Sequence, residues 1–283
     1  MRCFMYVVGL VCILSGQALS EAPWSEIKGT LKEYQAVAVH ESEYSYGGSC
    51  IRLLATNVRG DQESEKLAAK LSDAQVAIPI FELHLQSFPE QHSDTLSFLN
   101  ALPQLKLLNL GGASFDKKEL ARLKEMKSLE TIYISGSDWD KEALVALGEV
   151  KTLKNMRLQY LKSDNWISFP AFPELVEIDL SSSDFDDDGA LALVKSPKIQ
   201  AIHAYDTKLR DNGLLNLADL KELKILGVNF SDDNDSILTR DGLSRFKEKR
   251  PDVQIRTDRP KTPHPAKAPN QFNPVRPGPQ EQA

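Results

Sequence analysis

Side chains able to do acid–base or metal chemistry are few in this chain and poorly spaced for it. The histidines are His40, His84, His92, His203 and His264, and the cysteines are Cys3, Cys12 and Cys50. No paired thiols stand at zinc-ligand spacing. Asp184-Phe185-Asp186-Asp187-Asp188-Gly189 places oxygen ligands at positions one, three and five of a calcium loop and Gly at six. The twelfth position, which needs a bidentate Glu, is Lys195. The stretch therefore reads as a turn followed by a helix start. A Gly-rich phosphate loop, a Gly-x-Ser-x-Gly elbow and a His-Glu-x-x-His helix are all missing from the sequence. A triad can assemble from distant positions, but no motif supports one. The expectation is a non-enzymatic protein without cofactor or metal.

The elements that must position any site announce themselves by repetition. Leu105 to Ser128, Leu129 to Thr152, Leu175 to Lys198 and Ile199 to Glu222 are four segments of 24 residues that align without gaps. Each has apolar residues at positions one, four and six. A turn, an acidic residue and a helical pattern follow, as in Leu120 with Leu123 and Leu144 with Leu147. Positions four and six lie on one face of a short strand. Neither strand nor helix can bury its apolar side alone, so the units must stack, with strands parallel and about 4.8 Å apart. Helices are wider than strands, so the strands form the concave face and the helices the convex one. Asp116, Asp140, Asp188 and Asp211 recur where an N-cap or first-turn acid would satisfy open backbone N–H groups, and Asp241-Gly242-Leu243 repeats the theme.

Three ladders, Leu105-x-x-Leu108-x-Leu110, Leu175-x-x-Ile178-x-Leu180 and Leu223-x-x-Leu226-x-Val228, resemble the leucine-rich-repeat family. Asp188-Gly189-Ala190-Leu191 and Asp211-Asn212-Gly213-Leu214 look like the Asp-x-Gly-Leu element of the ribonuclease-inhibitor-like subclass found in many bacterial secreted proteins. The resemblance covers roughly residues 50 to 256 and implies an α/β solenoid shaped as a horseshoe or arc and used for protein–protein contact. The sequence departs from the family in lacking the regular Asn after the third apolar position.

On this alignment position five runs His84, Asn109, Tyr133, Arg157, Asp179, His203, Gly227 along the concave face. Position three contributes Glu82, Leu107, Thr131, Asn155, Glu177, Ala201 and Ile225. Position seven contributes Gln86, Gly111, Ser135, Gln159, Ser181, Tyr205 and Asn229. Tyr133, Arg157, Asp179, His203 and Tyr205 form the candidate partner-binding cluster, since aromatics and Arg anchor interfaces. Arg157 and Asp179, on adjacent strands, could equally pair with each other. His84 and His203 are five strands apart, about 24 Å at about 4.8 Å per strand, and cannot share a metal or a proton.

Other units are less regular. Cys50-x-x-Leu53-x-Ala55 opens the first, with Leu67 and Leu71 on its helix, and Ile80-x-x-Leu83-x-Leu85 opens the second, with Leu96, Leu99 and Leu102. Residues 21–49 are expected to cap the stack, with a strand within Tyr34 to His40 covering its edge. The unit from Leu153 has Trp166, Phe169, Pro170, Phe172 and Pro173. Its prolines forbid a regular helix, so an extended or short 3₁₀ connection is expected, with its aromatics either filling the core or forming an exposed convex patch. The unit from Leu223 carries an acidic insert, Asp232-Asp233-Asn234-Asp235, and a strand near Val253 to Arg256 closes the solenoid of residues 50–257.

Both termini differ from this body. Arg2, an apolar run from Phe4 to Leu14, and small residues up to Ser20 make the three-part pattern of a cleavable export signal over residues 1–20. The run is too short to span a bilayer, and Gly9-Leu10-Val11-Cys12 does not fit a lipoprotein signal. Cys50 alone would remain after cleavage, as a small buried hydrophobe, so no disulfide framework holds the fold. Residues 258–283, with Pro260, Pro263, Pro265, Pro269, Pro274, Pro277 and Pro279, are expected to be a disordered, mildly basic tail. A net charge of −6 argues against a nucleic-acid partner. The functional expectation is a secreted or periplasmic monomer that binds a protein or cell-surface polymer. The alternative is an envelope or matrix scaffold tethered through its tail.

Overall fold

The computed structural model describes residues 29, 37–38, 49–54, 60–77, 80–86, 96–110, 117–134, 141–162, 166–230 and 237–257. The expected export signal, most of the N-terminal cap, Asp116, Asp140, the acidic insert at 232–235 and the Pro-rich tail lie outside them. So do the side chains of Cys50 and His84, although their backbones are described.

Among the described residues, ten strands form one sheet in strict chain order: β1 (Val37–Ala38), β2 (Ser49–Leu54), β3 (Ile80–Gln86), β4 (Leu107–Asn109), β5 (Thr131–Tyr133), β6 (Asn155–Arg157), β7 (Glu177–Asp179), β8 (Ala201–Ala204), β9 (Ile225–Val228) and β10 (Gln254–Arg256). β1 is antiparallel to β2 and covers that edge, as an N-terminal cap strand would. Every later pairing is parallel. Strand order equal to chain order, with a crossover after each parallel strand, is the topology of a solenoid.

The crossovers are α1 (Gly60–Ala77), the 3₁₀ turn Ser97–Ala101, α2 (Lys117–Arg122), α3 (Lys141–Leu147), the 3₁₀ turn Trp166–Ser168, α4 (Asp187–Leu193), α5 (Asp211–Leu217) and α6 (Arg240–Lys249). They are helices because their apolar residues recur three or four apart; Leu120, Leu123, Leu144, Leu147, Leu193, Leu214 and Leu217 are all buried between them and the sheet. Leu96, Leu99 and Leu102 are buried too, but on a 3₁₀ turn instead of the expected helix. Positions one, four and six of each regular unit are buried from Leu105 to Val228 and join one continuous core.

The unit from Leu153 follows the expectation from its prolines. Trp166, Phe169 and Phe172 are buried, which excludes an exposed aromatic patch there. Trp166 meets Phe185 edge-on at 5.4 Å and donates its indole N–H to Asp184 at 2.8 Å. The aromatic cluster, continued by Phe169 and Phe172 with tilted rings at 5.5 Å, supplies the volume that helical leucines supply elsewhere.

Helix starts are held across unit boundaries. Asp188 and Asp211 sit in first turns as expected, but the caps themselves are other residues. Asp186 caps α4 by accepting from Gly189 N at 3.0 Å, and Thr239 caps α6 by accepting from Gly242 N at 3.0 Å. Asp187 reaches forward to accept from Arg210 N, the residue before α5, at 2.8 Å. Asp211 does the same for Thr239, accepting from its N–H at 2.9 Å and its hydroxyl at 2.6 Å. α4 thus anchors the start of α5, and α5 the start of α6. At the far end Arg250 is buried and donates to the carbonyls of Ala218, Leu220 and Leu223, which closes the backbone of α5 and its following turn. Asp252 holds the same guanidinium at 2.8 Å.

This anchoring explains the glycine of the Asp-x-Gly-Leu element. A Cβ on Gly213 would run into the Asp187 carboxylate and stand 2.8 Å from its Cα, which is backbone and cannot swing aside. Helix propensity alone favours Ala over Gly by about 1 kcal/mol. Overpacking of this kind costs about 1–3 kcal/mol, so Gly213→Ala is predicted to lower the thermal midpoint, while Asn212→Ala, exposed on the same turn, leaves it unchanged or raises it. A Gly213→Ala protein that melts higher than wild type would refute the close packing of α4 on α5.

Candidate functional site

The strand register brings the expected row together. His84, Asn109, Tyr133, Arg157, Asp179, His203 and Gly227 are successive cross-strand partners, and Arg256 extends the line onto β10. Side chains alternate along a strand, so burial of position four sends position five to the opposite face of the sheet, the one expected to be concave.

At the centre of the row the guanidinium of Arg157 lies over the ring of Tyr133, 4.8 Å from its centroid. An aromatic face beneath a guanidinium holds the cation in a defined orientation. Asp179 accepts from Gln159 Nε2 at 2.5 Å and from Ser181 N at 3.0 Å. The amide and the backbone N–H fix the carboxylate in one orientation. Asn155 donates to Thr131 Oγ1 at 3.3 Å, one strand across at position three.

Towards the C-terminal end the side chains form a second group. His203 Nε2 stands 3.4 Å from Glu177 Oε1, and its ring stacks on Tyr205 with centroids 6.3 Å apart. Tyr205 is only 1% exposed, so it supports the cluster from below and does not offer a contact surface. The absence of a side chain at Gly227 makes room for it: a Cβ there would stand 2.6 Å from the Tyr205 ring and hydroxyl. Glu177 is the member that sequence reasoning placed at position three without selecting. Its signal was the diagonal between positions three and five on neighbouring strands, a distance that a carboxylate and an imidazole can close.

The turn leaving each strand has its own device. Tyr160, Ser182 and Asp206 occupy the equivalent position in consecutive units, and all have positive φ, at 58°, 60° and 56°. Their N–H groups continue the inter-unit ladder or its side-chain substitute: Tyr160 N donates to Ser181 O at 3.3 Å, Ser182 N to Tyr205 O at 2.7 Å, and Asp206 N to Asn229 Oδ1 at 2.5 Å. The expected loss of an asparagine ladder is therefore made good mostly by backbone. Gly112 and Gly136 stand at this position in the two preceding units, and they are the sequence signal for a left-handed turn residue.

Among the described residues no group of three His, Cys, Asp or Glu side chains could hold a metal. Three of the four acids of the 184–189 stretch are turned to protein donors: Asp184 to Trp166, Asp186 to Gly189 N, Asp187 to Arg210 N. The site presents a cation, a fixed carboxylate and a His203–Glu177 contact on one sheet face, an arrangement suited to recognition.

The hydrogen bond from His203 is the largest influence on Glu177, with burial opposing it and Arg157 and Arg256 reinforcing it, and the net effect holds its carboxyl below the usual value of 4.5. A depressed folded value means the stabilising contribution is complete above the unfolded pKa, about 4.3, and is lost as pH falls through the lower folded value. In His203→Ala the Glu177 side-chain carbonyl, followed by NMR, is predicted to titrate at higher pH than in wild type. Identical titration in the two proteins would contradict the pair.

No family model matches the chain, and no curated protein sequence does. Among solved structures, it is similar to internalin C2 of Listeria monocytogenes, at 16% identity and TM-score 0.43 over 64% of this chain and 80% of that one. For internalin InlF of the same organism the values are 15% and 0.44, over 83% of this chain and 74% of that one. For TLR13 in its complex with ssRNA13 they are 18% and 0.45, over 70% of this chain and 26% of that one. The fold assignment stands on the molecule's own unit repeat, chain-order sheet and buried ladder. The chain is an α/β solenoid of stacked strand-and-helix units, its parallel strands forming one face and its helices the other, with a repeat that resembles the leucine-rich-repeat pattern.

Proposed function

We propose that this chain is an exported, non-enzymatic binding module, of the ribonuclease-inhibitor-like bacterial secreted subclass, that recognises a protein or cell-surface polymer on its concave face. The observation that carries the reading is the Arg157–Tyr133 stack at the middle of an unbroken cross-strand row. A guanidinium already ordered on an aromatic face loses little conformational freedom on binding, and Arg and Tyr are among the residue types enriched at interface hot spots. Asp179, with His203 stacked on the buried Tyr205, places fixed acceptor and donor groups on the next two strands.

Residues 21–283, immobilised and exposed to the native extracellular or periplasmic fraction, supply the ligand for the test. Tyr133→Ala and Arg157→Ala are each expected to weaken its binding by at least about thirty-fold, the loss of an interface hot spot of about 2 kcal/mol. Deleting 258–283 is expected to leave affinity unchanged. Unchanged affinity in both alanine variants would refute the concave site, and loss of the ligand on tail deletion alone would favour the tethered scaffold.

A further inference from the structure

The convex face carries a feature that the core does not need. Val145, Ile167 and Leu191 are 46%, 43% and 49% exposed, on α3, the 3₁₀ turn Trp166–Ser168 and α4. Val145 and Leu191 occupy the same place in their 24-residue units, and Leu215, half-buried on α5, occupies it in the next. The 3₁₀ turn packs between α3 and α4, and α4 packs on α5. Exposed aliphatics scattered singly need no explanation. These form a line across consecutive elements of the stack, and alternatives such as Ser, Lys or Glu would serve a solvated helix face better.

At the positions directly flanking the line, acids outnumber bases. Three residues before and four after each helical member stand Glu142 and Glu149, Asp188 and Lys195, and Asn212 and Asp219: four acids against one base. Glu149 also contacts Lys151 at 3.9 Å, with both side chains 58% exposed, and such a pair contributes little. Lys151, Lys198 and Lys221 lie further along, on the turns that lead to the strands. A second copy docked on this line would bring acids against acids, and an anionic lipid surface would be repelled.

We propose that this convex stripe is a docking site for a basic amphipathic helix lying along the stack axis. Neighbouring helices pack about 8–10 Å apart, and seven residues of an α-helix rise about 10.5 Å. One apolar residue per heptad of the incoming helix therefore meets one apolar residue per unit. An extended strand cannot keep this match, because residues three apart face opposite ways. Lys or Arg at positions flanking the heptad seam would face Glu142, Asp188, Glu149 and Asp219. This site lies on the opposite side from the concave row and does not rest on it.

The test uses the full chain and a synthetic amphipathic peptide of three heptads, about 21 residues, with Leu at the seam and Lys at the flanks, read by fluorescence anisotropy. A twin peptide with Glu in place of Lys is the charge control. The Lys peptide should bind, and Val145→Ser/Ile167→Ser/Leu191→Ser should weaken it by about ten-fold or more. Glu149→Lys/Asp219→Lys should weaken it and flatten its salt dependence, while Arg157→Ala should leave it unchanged. Circular dichroism of each variant verifies that the solenoid is intact. Failure of the Lys peptide to bind, equal binding of its Glu twin, or equal affinity in the triple serine variant would overturn the proposal. So would self-association of the wild-type chain in sedimentation that the triple variant abolishes, since the occupant would then be a second copy.

Discussion

The whole molecule depends on the parallel backbone ladder between units. Strand N–H and C=O groups cannot be satisfied within their own unit, and buried backbone polar groups must be satisfied somewhere. They are satisfied one unit on. Leu110 N donates to Tyr133 O, Ile134 N to Arg157 O, Leu158 N to Asp179 O and Leu180 N to His203 O, at 2.7–2.8 Å. The same bonds that close the core therefore set the carbonyls, and with them the side chains, of the concave row. A slip of one residue would turn Ile132, Met156 and Ile178 to solvent and bury Arg157 and Asp179. Either change alone costs several kcal/mol.

A second set of contacts ties the convex side to the same spacing. Asp187 and Asp211 reach forward to the residues preceding the next helix, and Gly213 and Gly242 let those helices approach. Stability is therefore nearest-neighbour in character, and the ends need special treatment. β1 covers one edge of the sheet, and Arg250 satisfies three carbonyls at the other. A buried guanidinium is tolerated because Asp252 and the carbonyls meet its donors.

Much of this was legible in the sequence for a plain reason. Apolar residues at positions one, four and six can be buried only in a stacked strand, and every regular unit repeats them. The prolines around Phe172 similarly excluded a helix from the unit at Leu153. Side-chain contacts between units were less legible, because they depend on directions that spacing does not encode. Asp188 and Asp241 match the cap pattern as well as Asp186 and Thr239, and only backbone geometry separates them. Tyr205 aligns with the concave row, yet its ring folds over Gly227 and is buried. The Glu177–His203 pair spans positions three and five on different strands, so no linear motif marks it. The apolar convex stripe is likewise visible only once helices are laid side by side.

The most direct measurement is NMR detection of scalar couplings across the inter-unit hydrogen bonds. The account predicts couplings from Leu110 N to Tyr133 C′, Ile134 N to Arg157 C′, Leu158 N to Asp179 C′ and Leu180 N to His203 C′. Couplings displaced by one residue, to Ile132, Met156, Ile178 and Ile202, would break the register on which both the core and the concave row are built.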